Sequence, residues 1–304
     1  MYQNHVGINL TETKFQLIEI SYKNNSFYLE NVDQSIFKEP LALSHNENEL
    51  ITVLQDSFNK IISRNRISSK FVSFSLANNF FNIFEIPIEH TLTKNDLNDH
   101  IKWELSVLFP ESNCENFLIQ HVEVNKTSIR KENKAIVFAL DKSLIAVINK
   151  FCRNNNLKLK YVDNAHLASN AFLHINSEYT KNDITFSIYI DQNYSSVSAL
   201  EGIYPFFFKV FNSNRNNIFY DLDTTIANLV NLGVDFSLVK HILLCGQNIT
   251  DEFISILNKK YGLPLKKINP FERLKTEEAV SKNTLYNSQY NSFTAATGIA
   301  IRII

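Results

Sequence analysis

Glycine is what this chain most lacks: it has 6 among 304 residues, about 2%, where ordinary composition gives roughly 7%. They stand far apart, at positions 7, 202, 233, 246, 262 and 298, so a phosphate loop built on closely spaced glycines (GxGxxG or GxxxxGK[ST]) is excluded. Asparagine takes over in turns such as Asn154-Asn155-Asn156, because it tolerates left-handed backbone. Cysteine is scarce as well. Cys114, Cys152 and Cys245 form no CxxC pair, and an odd number argues against a disulfide framework and for a reducing cytoplasm. The 8 histidines form no HxxxH pair, so no metal site is expected from them.

Charge of one sign is missing too. Lys and Arg total 30 against 31 for Asp and Glu, a net charge of -1, which leaves no basic field to attract nucleic acid. Apolar runs such as Phe206-Phe207-Phe208 fall far short of the roughly 18 residues a membrane helix needs, and the opening Tyr2-Gln3-Asn4-His5 is no charged leader. The expectation is a chain neither secreted nor inserted in a membrane. What is present suffices for folding: 44% hydrophobic and 20% charged residues over this length fit one large α/β domain or two sub-domains sharing a cleft.

Val6 to Leu10, Phe15 to Ser21 and Ser26 to Val32 read as a meander of three strands separated by polar turns. Leu50, Ile51, Leu54, Phe58, Ile61 and Ile62 recur at helical spacing, and Phe71 to Leu76 is a short apolar strand. After Phe80 to Pro87, Thr93 with Asp96 three residues on resembles a capping box, opening a helix with Leu97, Ile101, Leu105 and Leu108 on one face and Pro110 as its stop. Strands at Phe117 to Val124 and Ala135 to Leu140 precede a helix marked by Leu144, Val147, Ile148 and Phe151. A strand at Leu157 to Val162 and a helix from Asn164 to Ile175 follow, then a polar hinge at Glu178 to Asp183.

The second half repeats the theme. Ile184 to Asp191, Ser195 to Leu200 and Tyr204 to Phe211 form another meander. A helix over Leu222 to Leu232 stops at Gly233, a strand at His241 to Leu244 meets Gly246, and a helix over Thr250 to Tyr261 stops at Gly262. A last helix, Ser292 to Ile301, carries Ala295, Ala296, Gly298 and Ala300, small enough for close packing on a sheet. Two halves that each open with three strands predict a duplicated α/β unit with a cleft between the copies, the place where a small ligand would ordinarily bind.

Four stretches, taken in order, resemble the actin-like ATPase superfamily and, within it, the PilM-like pilus-assembly family, with FtsA-like cell-division proteins more distant. "VGINLTETKFQLIEI" is similar to that family's first phosphate loop, and "IEHTLTKNDLNDHIKWELSVLFPES" to the helix opening its inserted sub-domain. "HILLCGQNITDEFISILNKKYGLPLKKINPFERL" resembles its adenosine-holding strand, turn and helix, and "FTAATGIAIRII" its terminal helix. The resemblance implies a duplicated ribonuclease-H-like (actin-like ATPase) α/β fold with an inserted α+β sub-domain. Residues 1–85, completed by 157–178 and 290–304, would form the first sub-domain, 86–156 the insertion and 179–289 the second sub-domain.

By the same resemblance Asn9, Thr11, Thr13, Asp191, Ser195, Gly246 and Gln247 occupy the nucleotide-binding positions. Several depart from the pattern. Asn9 stands where an aspartate normally serves hydrated Mg²⁺, and it is neutral. Thr11 replaces a glycine and brings a Cβ, Glu12 adds negative charge, and Gln192-Asn193-Tyr194-Ser195 contains no glycine. Gln247 replaces the second glycine of the adenosine turn. Asp191 reads either as a water-positioning or Mg²⁺-coordinating acid or as a strand-end acid steadying a turn, and the three hydroxyls read either as phosphate donors or as turn residues. Gly246 divides likewise between tight turn and ligand. ATP with Mg²⁺ is therefore a weak or absent cofactor.

The expected function is a cytoplasmic scaffold of a type IV pilus or related secretion platform. By resemblance it would bind the cytoplasmic tail of a PilN-like inner-membrane protein between the first sub-domain and the insertion, with Ile101, Trp103 and Leu105 as partner residues. Trp103, the only tryptophan, lies off the apolar stripe and reads as a partner anchor or, preferably, a buried residue of the insertion. The chain ends at Ile304 without the linker and amphipathic helix of FtsA-like proteins, which favours the pilus reading. The alternative is an active actin-like ATPase, FtsA-like or resembling sugar kinases; the last would need a further catalytic aspartate, for which no candidate stands out.

Overall fold

The structure, a computed structural model, describes residues 4–42, 46–89, 91–111, 113–127, 132–171, 173, 183–212, 218–231, 234–262 and 265–302. Alternating apolar residues set up β1 (His5–Leu10), β2 (Lys14–Lys23) and β3 (Ser26–Ile36), joined by tight turns; at Asn24-Asn25 both residues take positive φ, 50° and 55°, as the asparagine-for-glycine reading requires. Helix α1 (Glu47–Arg64) is closed at its start by a reciprocal Asn46–Glu49 capping box and leads into β4 (Phe71–Leu76). The chain then leaves through β5 (Phe81–Pro87), α2 (Lys94–Leu108), β6 (Phe117–Val124) and β7 (Lys134–Asp141), and returns by α3 (Lys142–Asn154), β8 (Lys158–Asn164) and α4 (Ala165–Ser169). Thr93 and Asp96 cap α2 in the expected box.

The second half contains β9 (Ile184–Ile190), β10 (Tyr194–Glu201), β11 (Tyr204–Asn212), α5 (Ile218–Asn231), β12 (Val239–Gly246), α6 (Asp251–Tyr261) and β13 (Leu265–Lys267). A closing segment adds β14 (Lys275–Thr276), α7 (Glu278–Ser281), α8 (Thr284–Ser288) and α9 (Thr294–Ile301). Helix α4 ends at Ser169 with Asn170 as its C-cap, short of the expected Ile175; residues 174–175, residues 178–182 of the expected hinge, and the stop at Gly233 lie outside the described residues.

Duplication is visible in the strand orders. The first sheet runs β14-β3-β2-β1-β4-β8 and the second β11-β10-β9-β12-β13, so that, apart from the added edge strand β14, each is an antiparallel meander extended by two parallel strands. The turn between β1 and β2 and the turn between β9 and β10 are thus equivalent positions in the two copies.

The inserted sheet, in order β5-β7-β6, is antiparallel and carries α2 on one face, with Ile86, Leu97, Ile101, Ala135 and Val137 forming its own small core. Its edges differ from the expected 86–156. Pairing begins at Phe81 opposite Leu140, and α3 belongs to the first lobe, because Leu144, Val147, Ile148 and Phe151 are buried with β1, β4 and α1. Phe151 meets Phe58 edge-on with ring centroids 5.4 Å apart. The far boundary shifts too. Phe271 and Leu274 pack with Ile18 and Ile20, and β14 pairs with β3, so the chain rejoins the first lobe well before residue 289.

Helix α9 sits where the two lobes meet. Ala296 and Ala300 face the first sheet's cluster while Ala295 joins the one containing Tyr189 and Leu243, which explains the small side chains. Phe206, Phe207 and Phe208 are all buried, as a core strand should be.

Candidate functional site

Two places concentrate chemistry: the cleft between the equivalent turns, and a groove beside the insertion. In the cleft, β1 and β4 carry Asn9 and Ser75 into the protein interior side by side. The Asn9 amide donates to Gln16 Oε1 at 2.9 Å and its oxygen accepts from Ser75 Oγ at 3.1 Å, with no exposed surface left. Thr11 is also buried, and its Oγ1 turns back on its own loop to accept the amides of Thr13 (3.2 Å) and Lys14 (3.0 Å). The amides of Thr13 and Lys14 are thereby satisfied within the loop and are not presented to a phosphate.

The opposite turn is held from the second lobe. Asp191 Oδ1 accepts the Gln192 amide at 2.8 Å and Gln247 Nε2 at 2.6 Å. Burial raises the Asp191 carboxyl to about 6, against the pull of the Gln192 amide and the Lys14 ammonium, with Glu12 adding to the rise. Gly246 ends β12 with φ 98°, and a Cβ there would stand 2.1 Å from the Ile190 carbonyl oxygen, so the turn needs glycine irrespective of any ligand. The next amide, of Gln247, donates to that same carbonyl at 2.6 Å. Ser195 is buried within β10.

The turns touch. Thr13 Oγ1 donates to Gln192 Oε1 at 3.0 Å, Asn193 Nδ2 donates to Glu12 Oε2 at 2.5 Å, and Lys14 Nζ donates to Gln247 Oε1 at 2.5 Å. Asn79 steadies Glu12 from the first lobe, donating to Oε1 at 2.9 Å. Burial lowers the Lys14 ammonium while Asp191 holds it up. Sequence reasoning missed Lys14; the signal for it was a cation three residues after Thr11, in a loop whose expected occupants are short and polar.

A hydrated Mg²⁺ takes oxygen ligands, preferably charged ones. Beside Asp191 this cleft presents an amide nitrogen of Gln247 and the ammonium of Lys14; the Asn9 oxygen is already used by Ser75, and the two Glu12 oxygens by Asn79 and Asn193. The residues present do not match the ion's needs.

The second place is a groove of about 710 Å³ between β6 and β8, lined by Leu118, His121, Val122, Leu159, Lys160 and Tyr161 among others, with Phe81 and Phe138 beneath. Both strands end their sheets, so each presents unpaired backbone groups along an edge. Leu118 is 45% and Tyr161 57% exposed. At one end Arg302 pairs with Asp163.

The expected partner residues divide. Ile101 and Leu105 are buried, 0% and 1% exposed, inside the insertion and unavailable to a partner. The preferred buried reading of Trp103 fails in the opposite sense: it is 57% exposed, stacked on His100 at 6.0 Å, near Val107 and Leu108, both at least half exposed. Leu108 was expected on the buried stripe; it is the last residue before the cap at Phe109, where the helix face runs out.

No family model matches the chain, and no curated protein matches it. Solved structures do. The chain is similar to the PilM–PilN type IV pilus biogenesis complex with a TM-score of 0.73 at 15% identity, covering 98% of each chain. It is similar to a Bacteroides thetaiotaomicron protein of actin-like ATPase fold and unknown function, with a TM-score of 0.53, 14% identity and 94% of each chain covered. The cytoplasmic domain of EpsL, an inner-membrane component of the Vibrio cholerae type II secretion system, gives 0.54 at 10% identity over 99% of this chain and 95% of that one. With the duplicated sheets, these likenesses establish the actin-like ATPase fold. Among the described residues no helix is long and apolar enough to cross a membrane.

Proposed function

We propose that this chain is a cytoplasmic assembly component of a type IV pilus or related secretion platform. It holds the cytoplasmic tail of a PilN-like inner-membrane protein, and its nucleotide site is degenerate. The observation that carries the reading is the groove between two open sheet edges, β6 and β8, in a chain similar over its whole length to a PilM–PilN complex. An extended tail laid in that groove satisfies edge backbone groups on either side, while alternate side chains meet Leu118, Val122, Leu159 and Tyr161. The scaffold is rigid where it matters, since β8 is paired to β4 and β6 to β7.

The binding surface moves accordingly from the expected Ile101 and Leu105 to the groove, with Trp103 outside it on the exposed face of α2. An active ATPase is the less favoured reading, because one oxygen of Asp191, Oδ1, already accepts two hydrogen bonds and the Lys14 ammonium stands beside the same carboxylate. The test is titration with a synthetic peptide spanning the tail of the PilN-like protein of the same source. Leu118→Asp and Tyr161→Asp, both at exposed positions, should each weaken binding at least ten-fold with unchanged melting; unaltered binding by both would refute the groove.

A further inference from the structure

We infer that the cleft is latched by the chain's own side chains, with the Lys14 ammonium as a built-in cation beside Asp191, so that the lobes stay joined without nucleotide or metal. This rests on the degenerate-site part of the proposed function and not on the partner or its groove.

The case is geometric. Each copy of the duplicated unit sends one hairpin turn to the cleft, and residues from the two turns are bonded to one another directly: Thr13 to Gln192 and Glu12 to Asn193. Lys14 extends the contact inward. Its Nζ donates to Gln247 Oε1, and Gln247, 4% exposed, passes the link on by donating its own amide to Asp191 Oδ1. The chain Lys14–Gln247–Asp191 thus joins the first turn of one lobe to the first turn of the other through the strand end of β12.

Each member is oriented by a second bond or by backbone. Gln247 cannot flip, because its oxygen faces a cation and its nitrogen a carboxylate oxygen. Glu12 is held by Asn79 as well as Asn193, and Lys14 is placed by the Thr11 turn that binds its amide. Glu12 lies close enough to raise the Asp191 carboxyl by like charge, and a polyphosphate would add to that repulsion, while the Lys14 ammonium beside Asp191 disfavours a second cation there. The Lys14–Gln247 bond is partly buried, where water screens less, while the Thr13–Gln192 and Glu12–Asn193 bonds lie at the exposed rim.

The test is amide hydrogen exchange on the full chain, comparing wild type, Lys14→Arg, Lys14→Met and Gln247→Ala, each without ligand, with Mg²⁺ alone and with Mg-ATP. Wild type should protect the amides of Thr13, Lys14 and Gln192 equally in all three conditions, and Lys14→Arg, which keeps the charge, should resemble it. Lys14→Met and Gln247→Ala should exchange those amides at least ten-fold faster while β1, β4, β9 and β12 keep their protection. Should Lys14→Met unfold the whole chain, Gln247→Ala reads the same linkage with Lys14 intact. Wild-type exchange in Gln247→Ala, or a ten-fold gain of protection when Mg-ATP is added to wild type, overturns the latch. Tyr161→Asp should leave these amides unchanged, so failure of the groove reading and failure of the latch are separable.

Discussion

Gly298 lies so close to Ala168 that a methyl group on its α-carbon would stand 1.9 Å from the Ala168 carbonyl oxygen. Gly7 meets the same helix from the other side, with its absent Cβ 2.0 Å from the oxygen of Ala296. In a chain with so few glycines, these two let α9 press closely against α4 and β1 of the first lobe.

Gly298→Ala should therefore destabilise the fold by about 2 kcal/mol or more, because the clash is with backbone and the helix must move bodily. Gly262→Ala is the control. Gly262 caps α6 with φ 62° and open space around it, so the cost there is conformational only, about 1 kcal/mol. Thermal and denaturant melting of both variants checks the order; equal losses would mean that α9 has slack.

The insertion offers a cleaner contrast. Ile101→Asp places an unpaired carboxylate among Ile86, Leu97 and Val137 and should cost several kcal/mol, read as loss of the insertion's amide protection. Trp103→Ala, on the exposed side of the same helix, should change stability by no more than about 0.5 kcal/mol. A large loss at Trp103 would place it in a core after all.

Much of this was legible in advance, and the failures have physical causes. Period-two alternation placed both meanders, and Thr93-Asp96 and Pro110 bracketed α2, since local sequence alone sets strand faces and helix ends. Long-range packing was not legible. Nothing in α3 says that Phe151 will meet Phe58 rather than the insertion, and the two-residue strand β14 leaves no periodic trace. At the cleft, resemblance nominated Asp191 and Gln247 but not Lys14, whose role depends on a partner 233 positions away.

Acidity should act through opposed groups. Burial lowers His5 to about 4 and His166 to about 3, so the unfolded chain takes up protons below about 6.5 that the folded chain refuses, and stability falls as pH falls from there. Asp191 has the reverse sign. Raised from 3.8 to about 6, it is protonated in the folded state first, so stability is gained as pH falls through about 6 towards 4. Asp191→Asn removes that offset: melting at pH 7 should not drop, and the decline between pH 6 and 4 should steepen. Parallel pH profiles for the variant and wild type would deny Asp191 its buried, costly charge.

The most direct measurement is calorimetric titration of the purified chain with the PilN-like tail peptide, first free of nucleotide and then with Mg-ATP. The proposed function requires micromolar binding, about -8 kcal/mol, of equal strength in both. Peptide binding that appears only with Mg-ATP, or no binding alongside rapid Mg²⁺-dependent ATP hydrolysis, would contradict it.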